Sequence, residues 1–165
     1  MSTMTNKAEA TAVVPQKFGE RASSGWHVGL WVAQILLCVV YGASGAMNSS
    51  MSVESLMTMG MTHAGALPYW LLRFLGISEL AGSVGIILPA LTRIKPFLTP
   101  LAALGFTAIQ VLAIGFHIER GEFAKMAPIN LALIALSLFV LWGRIKKAPI
   151  SPRWPRLPRR RSLRP

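Results

Sequence analysis

Apolar residues run almost unbroken through four stretches of the chain, Trp26 to Met47, Trp70 to Leu91, Phe97 to Ile118 and Met126 to Trp142, separated by short polar or turn-forming segments. The first three are 22 residues long. A helix of that length rises about 33 Å against a hydrocarbon core of about 30 Å, so each is long enough to cross a bilayer. The fourth, of 17 residues, crosses if its flanking residues reach the interface. The predicted fold is all-α, an integral membrane four-helix bundle over residues 26–147.

Polar residues inside the apolar runs recur at helical spacing. Gln34, Tyr41 and Asn48 are seven apart on the first span, Gln110 and His117 seven apart on the third, and Asn130 and Ser137 seven apart on the fourth. Seven residues make nearly two turns, so each set lies on one helix face. The simplest arrangement turns these stripes toward one another. Counted inward from the span ends, Asn48, Arg73, His117 and Asn130 lie near one membrane surface and Tyr41, Glu79, Gln110 and Ser137 deeper, which predicts a polar pocket opening outward.

Glu79 stands out within WLLRFLGISELAGSVGIILPAL. A carboxylate in mid-span costs a few kcal/mol on insertion scales and therefore faces protein or water. Its expected partner is Gln110 or His117 on another helix, because Arg73, six residues away, lies about 120° around the same helix. Packing alone accounts for Gln34, Gln110 and Ser137, since interhelical hydrogen bonds are common in membrane bundles. Ser78, Gly82 and Gly85 form a small-residue seam that lets a neighbouring helix approach closely.

Between the first two spans, residues 48–69 are rich in Met, lack Lys and Arg, and end in Pro68-Tyr69-Trp70, an interface signature. A short interfacial helix and loop is expected there. Met57, Met59, Met61 and His63 are a weak candidate set for Cu(I), which favours thioethers and imidazole. Alternating positions do not converge on a helix, so no metal site is expected.

Composition agrees with a membrane protein: 53% of residues are hydrophobic, mean hydropathy is +0.50 and only 14% are charged, against about a quarter in soluble domains. The net charge of +11 carries a topology. Of the 17 Lys and Arg, 14 lie before the first span, between the second and third, or after the fourth. By the positive-inside rule both termini are then cytoplasmic, in a multi-pass protein of the cell's inner membrane. Ser44-Gly45-Ala46 offers a cleavage point for a signal peptide, but the run is too long and its polar leader too extended for one. Residues 1–25 read as a flexible polar tail. Residues 148–165, basic and rich in Pro and Arg, suit contact with anionic headgroups of membrane lipids. No nucleic-acid-binding module accompanies them. Cys38 is the only cysteine, which excludes dithiol chemistry within one chain.

With these residues laid out, the chain resembles the DoxX-like family of small four-helix membrane proteins over roughly residues 26–144. The resemblance rests on WVAQILLCVVYGASGAM, LLRFLGISELAGSVGIILPAL, the turn TRIKPFLTPLAALG, FHIERGE, and Asn130. Arg73, Gly76, Glu79, Gly82 and Pro89 make the second-span block its most specific part. Many relatives carry a lysine where this chain has Asn48. The resemblance implies a fold more than an activity: members have been linked to quinone-dependent sulfur oxidation, to membrane complexes answering oxidative stress and, among distant animal relatives, to receptor assembly. Its candidate residues here are Arg73, Glu79, His117 and Asn130.

The sequence has no haem-ligand pair, cysteine pair, flavin or nucleotide motif, so catalysis by this chain alone is not expected and no cofactor is evident. The expected role is an accessory subunit with a small pocket for a quinone-like molecule, linked to membrane redox or stress processes and working with an oxidoreductase partner or a second copy. Alternatives are an assembly or interaction factor without a ligand, and a small transporter, disfavoured because four helices without an internal repeat offer little for alternating access.

Overall fold

A computed structural model describes residues 24–153. Most of both terminal tails therefore lies outside the described residues. The chain forms α1 (Ser24–Ser50), α2 (Val53–Thr58), α3 (His63–Ala66), α4 (Tyr69–Thr92), α5 (Leu98–Glu119) and α6 (Phe123–Trp142), and α6 runs on into a π-helical turn, Gly143–Lys147. Four helices are long and apolar enough to cross a membrane: Gly25–Ser50, Tyr69–Thr92, Leu98–Glu119 and Phe123–Lys147. The order of spans follows the sequence reading, but their ends differ. α6 begins three residues earlier than Met126, on the turn after α5, and the π turn lengthens it into the basic segment.

Each long helix packs beside the next, and α6 returns to α1, so the cross-section is a square. The tightest pair is α1 with α4. A Cβ on Gly45 would lie 2.7 Å from the carbonyl oxygen of Gly76, and one on Gly76 would lie 2.7 Å from the amide nitrogen of Ser49. Only hydrogen at both positions permits this approach. The predicted seam is divided: Gly82 faces the ring of Phe106 on α5, Gly85 faces the Ala102 methyl at ordinary contact distance, and Ser78 stands on a cavity wall. α4 ends at Arg93, in the left-handed region at φ 59°, whose amide donates to the Pro89 carbonyl.

Burial is inverted relative to a soluble bundle. Gln34, Asn48, Glu79, Ser83, Thr99, Gln110, Asn130, Ser137 and Arg144 are buried, while Val32, Ile35, Val39, Ile77, Val84, Leu88 and Leu104 are exposed. Hydrocarbon solvates the apolar face, whereas hydrogen-bonding groups find partners only inside. The core of Ala33, Leu37, Tyr41, Ile86, Ala103, Phe106 and Val140 crosses the bundle. A second cluster, Leu56, Ala64 and Leu72 with Met47, Met51, Val53 and Met61, seats α2 and α3 as a cap over one end. At the opposite end Trp26 packs on Phe139 and Trp142, with the Lys147 ammonium over both indoles.

Candidate functional site

Beneath the α2–α3 cap lies a cavity of about 550 Å³. It is walled by Tyr41, Ser44 and Asn48 of α1, His63 of α3, Ser78 and Glu79 of α4, Gln110 and His117 of α5, and Asn130 of α6, among apolar residues. Its remaining surface comes largely from Leu71, Phe74 and Leu75 facing Ile109, Leu112 and Phe116 across the α4–α5 gap. Phe74 is 63% and Leu112 74% exposed, so the cavity adjoins the lipid-facing side of the bundle.

Glu79 is 5% exposed. Its partners are on α1, not α5: Ser44 Oγ–H donates to Glu79 Oε2 at 2.9 Å and Asn48 Nδ2–H at 3.2 Å. The reason is the α1–α4 contact, which brings Ser44 and Asn48 within reach while α5 stands off across the cavity. Glu79 Oε1 makes no hydrogen bond among the described residues, yet it is not sealed from open space. It is the carboxylate's free edge on the cavity.

The same bonds orient Asn48. Its Nδ2 faces a carboxylate and the Ser44 oxygen at 3.2 Å, so Oδ1 must be the atom turned to His63. His63 Nε2–H therefore donates to it, at 3.4 Å. Burial lowers the His63 pKa, and the facing His117 and Arg120 lower it further. His63 joins the site through the cap, a position that helix periodicity in the long spans does not reveal.

Arg73 does not line the cavity. Its two terminal nitrogens donate to the carbonyls of Asn48 and Met51, each at 2.7 Å, and its guanidinium lies 4.7 Å from the centre of the Tyr69 ring. A cation over the last carbonyls of α1 satisfies orphan acceptors and complements the helix dipole. The expectation that Arg73 belongs to the polar pocket gives way to this capping role.

Across the cavity, Asn130 Nδ2 is buried with no hydrogen-bond partner among the described residues. Gln110 and Ser137 adjoin the Tyr41 hydroxyl, whose ring stacks on Phe106 at 3.8 Å between centroids. His117 Nδ1 lies 3.6 Å from Glu122 Oε2 at the cavity's outer edge, within ion-pair range for an imidazolium but without a hydrogen bond. Arg120 binds Glu122 from the other side and, with His117, holds that carboxyl below its usual range.

The Met segment does not converge. Met61 packs in the cap cluster, Met57 and Met59 are exposed, and His63 turns into the cavity.

The stripe on α1 divides in depth. Asn48 and Tyr41 border the cavity, whereas Gln34 lies at the far end of the bundle and receives Arg144. The Arg144 Nε–H donates to Gln34 Oε1 at 2.8 Å, its Nη2 donates to the same oxygen, and Gln34 Nε2–H donates to the Ile86 carbonyl at 2.6 Å. Arg144, read from sequence as a topology signal, is 5% exposed with its guanidinium 5.6 Å from the Trp31 ring centre.

This constellation sits within a recognised domain: residues 32–140 match the model of the DoxX-like family. The chain belongs to the DoxX-like family. The matched residues hold every side chain lining the cavity, while Arg144 lies just beyond them. Family and spans together make this DoxX-like chain a multi-pass membrane protein. No curated protein and no solved structure matches it.

Proposed function

We propose that this DoxX-like protein is a non-catalytic subunit of the cytoplasmic membrane that holds a small lipophilic molecule with a polar head in the cavity under its α2–α3 cap. A quinone is one such molecule, and an oxidoreductase or a second copy is the partner such a subunit would serve. The carrying observation is the meeting, in one cavity of about 550 Å³, of apolar walls beside lipid with polar atoms that have no hydrogen-bond partner among the described residues, Glu79 Oε1 and Asn130 Nδ2. Ligand sites commonly combine an apolar lining with a few convergent polar groups. Both termini inside is the orientation favoured by Arg93, Lys95, Lys146, Lys147 and Arg153 gathering at the terminal end, against Arg120 and Lys125 at the cap end.

The test is thermal unfolding of the purified protein in uncharged detergent with added decyl-benzoquinone, joined to mass spectrometry of lipophilic molecules carried from native membranes. A ligand of the folded state raises Tm with its concentration. Retention of a small lipophilic molecule, or a saturable rise in Tm with the quinone, supports the reading. An unchanged Tm and an empty extract overturn it.

A further inference from the structure

We infer that the cavity favours a lipophilic amine, bound as its cation against Glu79, over a neutral molecule of the same size. The inference rests on the cavity being a lipophilic-ligand site, and it names the head group that site selects.

Charge balance is the first ground. Glu79 is buried, and no Lys or Arg is in ion-pair contact with it among the described residues. Arg73, on the same helix, has committed its two terminal nitrogens to the carbonyls of Asn48 in α1 and Met51 just after it. The other titratable groups facing the cavity are His63 from α3, His117 from α5 and Tyr41 from α1, none of them a permanent cation. Buried carboxylates are ordinarily paired, because an isolated charge in a low-dielectric site is strongly disfavoured.

Hydrogen bonding is the second ground. Both donors to Glu79, Ser44 and Asn48, use Oε2, which leaves Oε1 without a donor among the described residues. A protonated amine supplies the missing charge and the missing N–H together. A quinone carbonyl, which only accepts, supplies neither to an ionised Glu79.

The walls are the third. Tyr41, Phe74 and Phe116 line the cavity, and aromatic faces attract ammonium groups. Phe74 and Leu112 carry the lining to the lipid-facing surface, a path that suits an apolar tail. Asn130 Nδ2 accommodates an ether or hydroxyl oxygen elsewhere on the ligand.

The experiment compares 4-phenoxybutylamine with 4-phenoxybutanol, equal in shape and different in head, by binding to the full chain in uncharged detergent. The amine should bind about tenfold or more tightly than the alcohol, as a charge-assisted hydrogen bond provides. Glu79→Gln should weaken the amine far more than the alcohol, because only the amine loses a counter-charge, and so should remove that preference. Equal affinities for the two probes in the unmodified protein overturn the inference whether or not the variant folds. If quinone binds under those conditions, the lipophilic-ligand reading survives that failure; if no probe binds and no ligand is retained, both fail. Repeating the comparison in phosphatidylcholine nanodiscs, with and without phosphatidylethanolamine, separates two sources of the amine. Competition by that lipid assigns the site to a lipid headgroup, and indifference assigns it to a free amine; either result upholds an amine site.

Discussion

Gly45 and Gly76 touch backbone to backbone: a Cβ on either would stand 2.7 Å from a main-chain atom of the opposite helix. The contact sets the spacing of α1 and α4, and so places Ser44 and Asn48 against Glu79. Gly76→Ala should destabilise the protein by about 2 kcal/mol, within the range for overpacking a filled site. Gly115→Ala, where no described atom lies within 4 Å of the added carbon, should leave stability unchanged or slightly raised. Thermal unfolding in detergent decides this, and equal effects would show that α1 and α4 separate freely.

Arg144 and Gln34 should behave as one unit. Gln34→Leu removes the acceptor of the Arg144 guanidinium and leaves a buried cation short of partners, costing about 3 kcal/mol. Arg144→Leu strands the Gln34 carbonyl oxygen and should cost about 2 kcal/mol. The double variant should lose less than the sum of the two single losses. A double-mutant cycle by denaturation reads the coupling, and strict additivity would deny it.

Replacing Arg73 by Lys keeps the charge but not the fork that spans two carbonyls. The loss of one charge-assisted hydrogen bond at the end of α1 predicts about 1.5 kcal/mol of destabilisation. Amide hydrogen exchange should quicken first in residues 47–53. Uniform quickening along α1 would contradict a capping role.

The cap should loosen in acid. Burial, His117 and Arg120 lower the His63 pKa below its ordinary 6.5, so the undocked cap binds more protons than the docked one. Stability therefore rises with pH between the folded and unfolded pKa values, is complete above about 6.5, and is lost as pH falls through that window. Exchange in residues 53–66, divided by its intrinsic rate, should rise between pH 7 and pH 5 in excess of the long helices. His63→Gln should flatten that excess.

Topology is open to direct labelling. In a Cys38→Ala background, a cysteine replacing Ser52 or Glu122 should react with an impermeant thiol reagent in intact cells. One replacing Ser151 should react only after permeabilisation. The reverse pattern would invert the bundle.

Four spans, their order and most of the polar residues on the cavity wall were already legible in the sequence. The reason is lipid: outward positions must be apolar, so polar residues such as Tyr41, Glu79, Gln110 and Asn130 announce the interior, and their helical spacing announces a shared face. Periodicity says which way a side chain turns but not which helix meets it or how closely. That Glu79 bonds to α1 follows from the backbone contact of Gly45 with Gly76. That Arg73 caps α1, and that Gln34 faces Arg144 at the far end, follows from chain segments 22 to 110 residues apart meeting in space. His63 enters the cavity because an apolar cluster around Leu56 folds the cap down over it. Solvent preference is a property of each residue and is written along the chain; pairing depends on interhelical distance, which only the packed bundle decides.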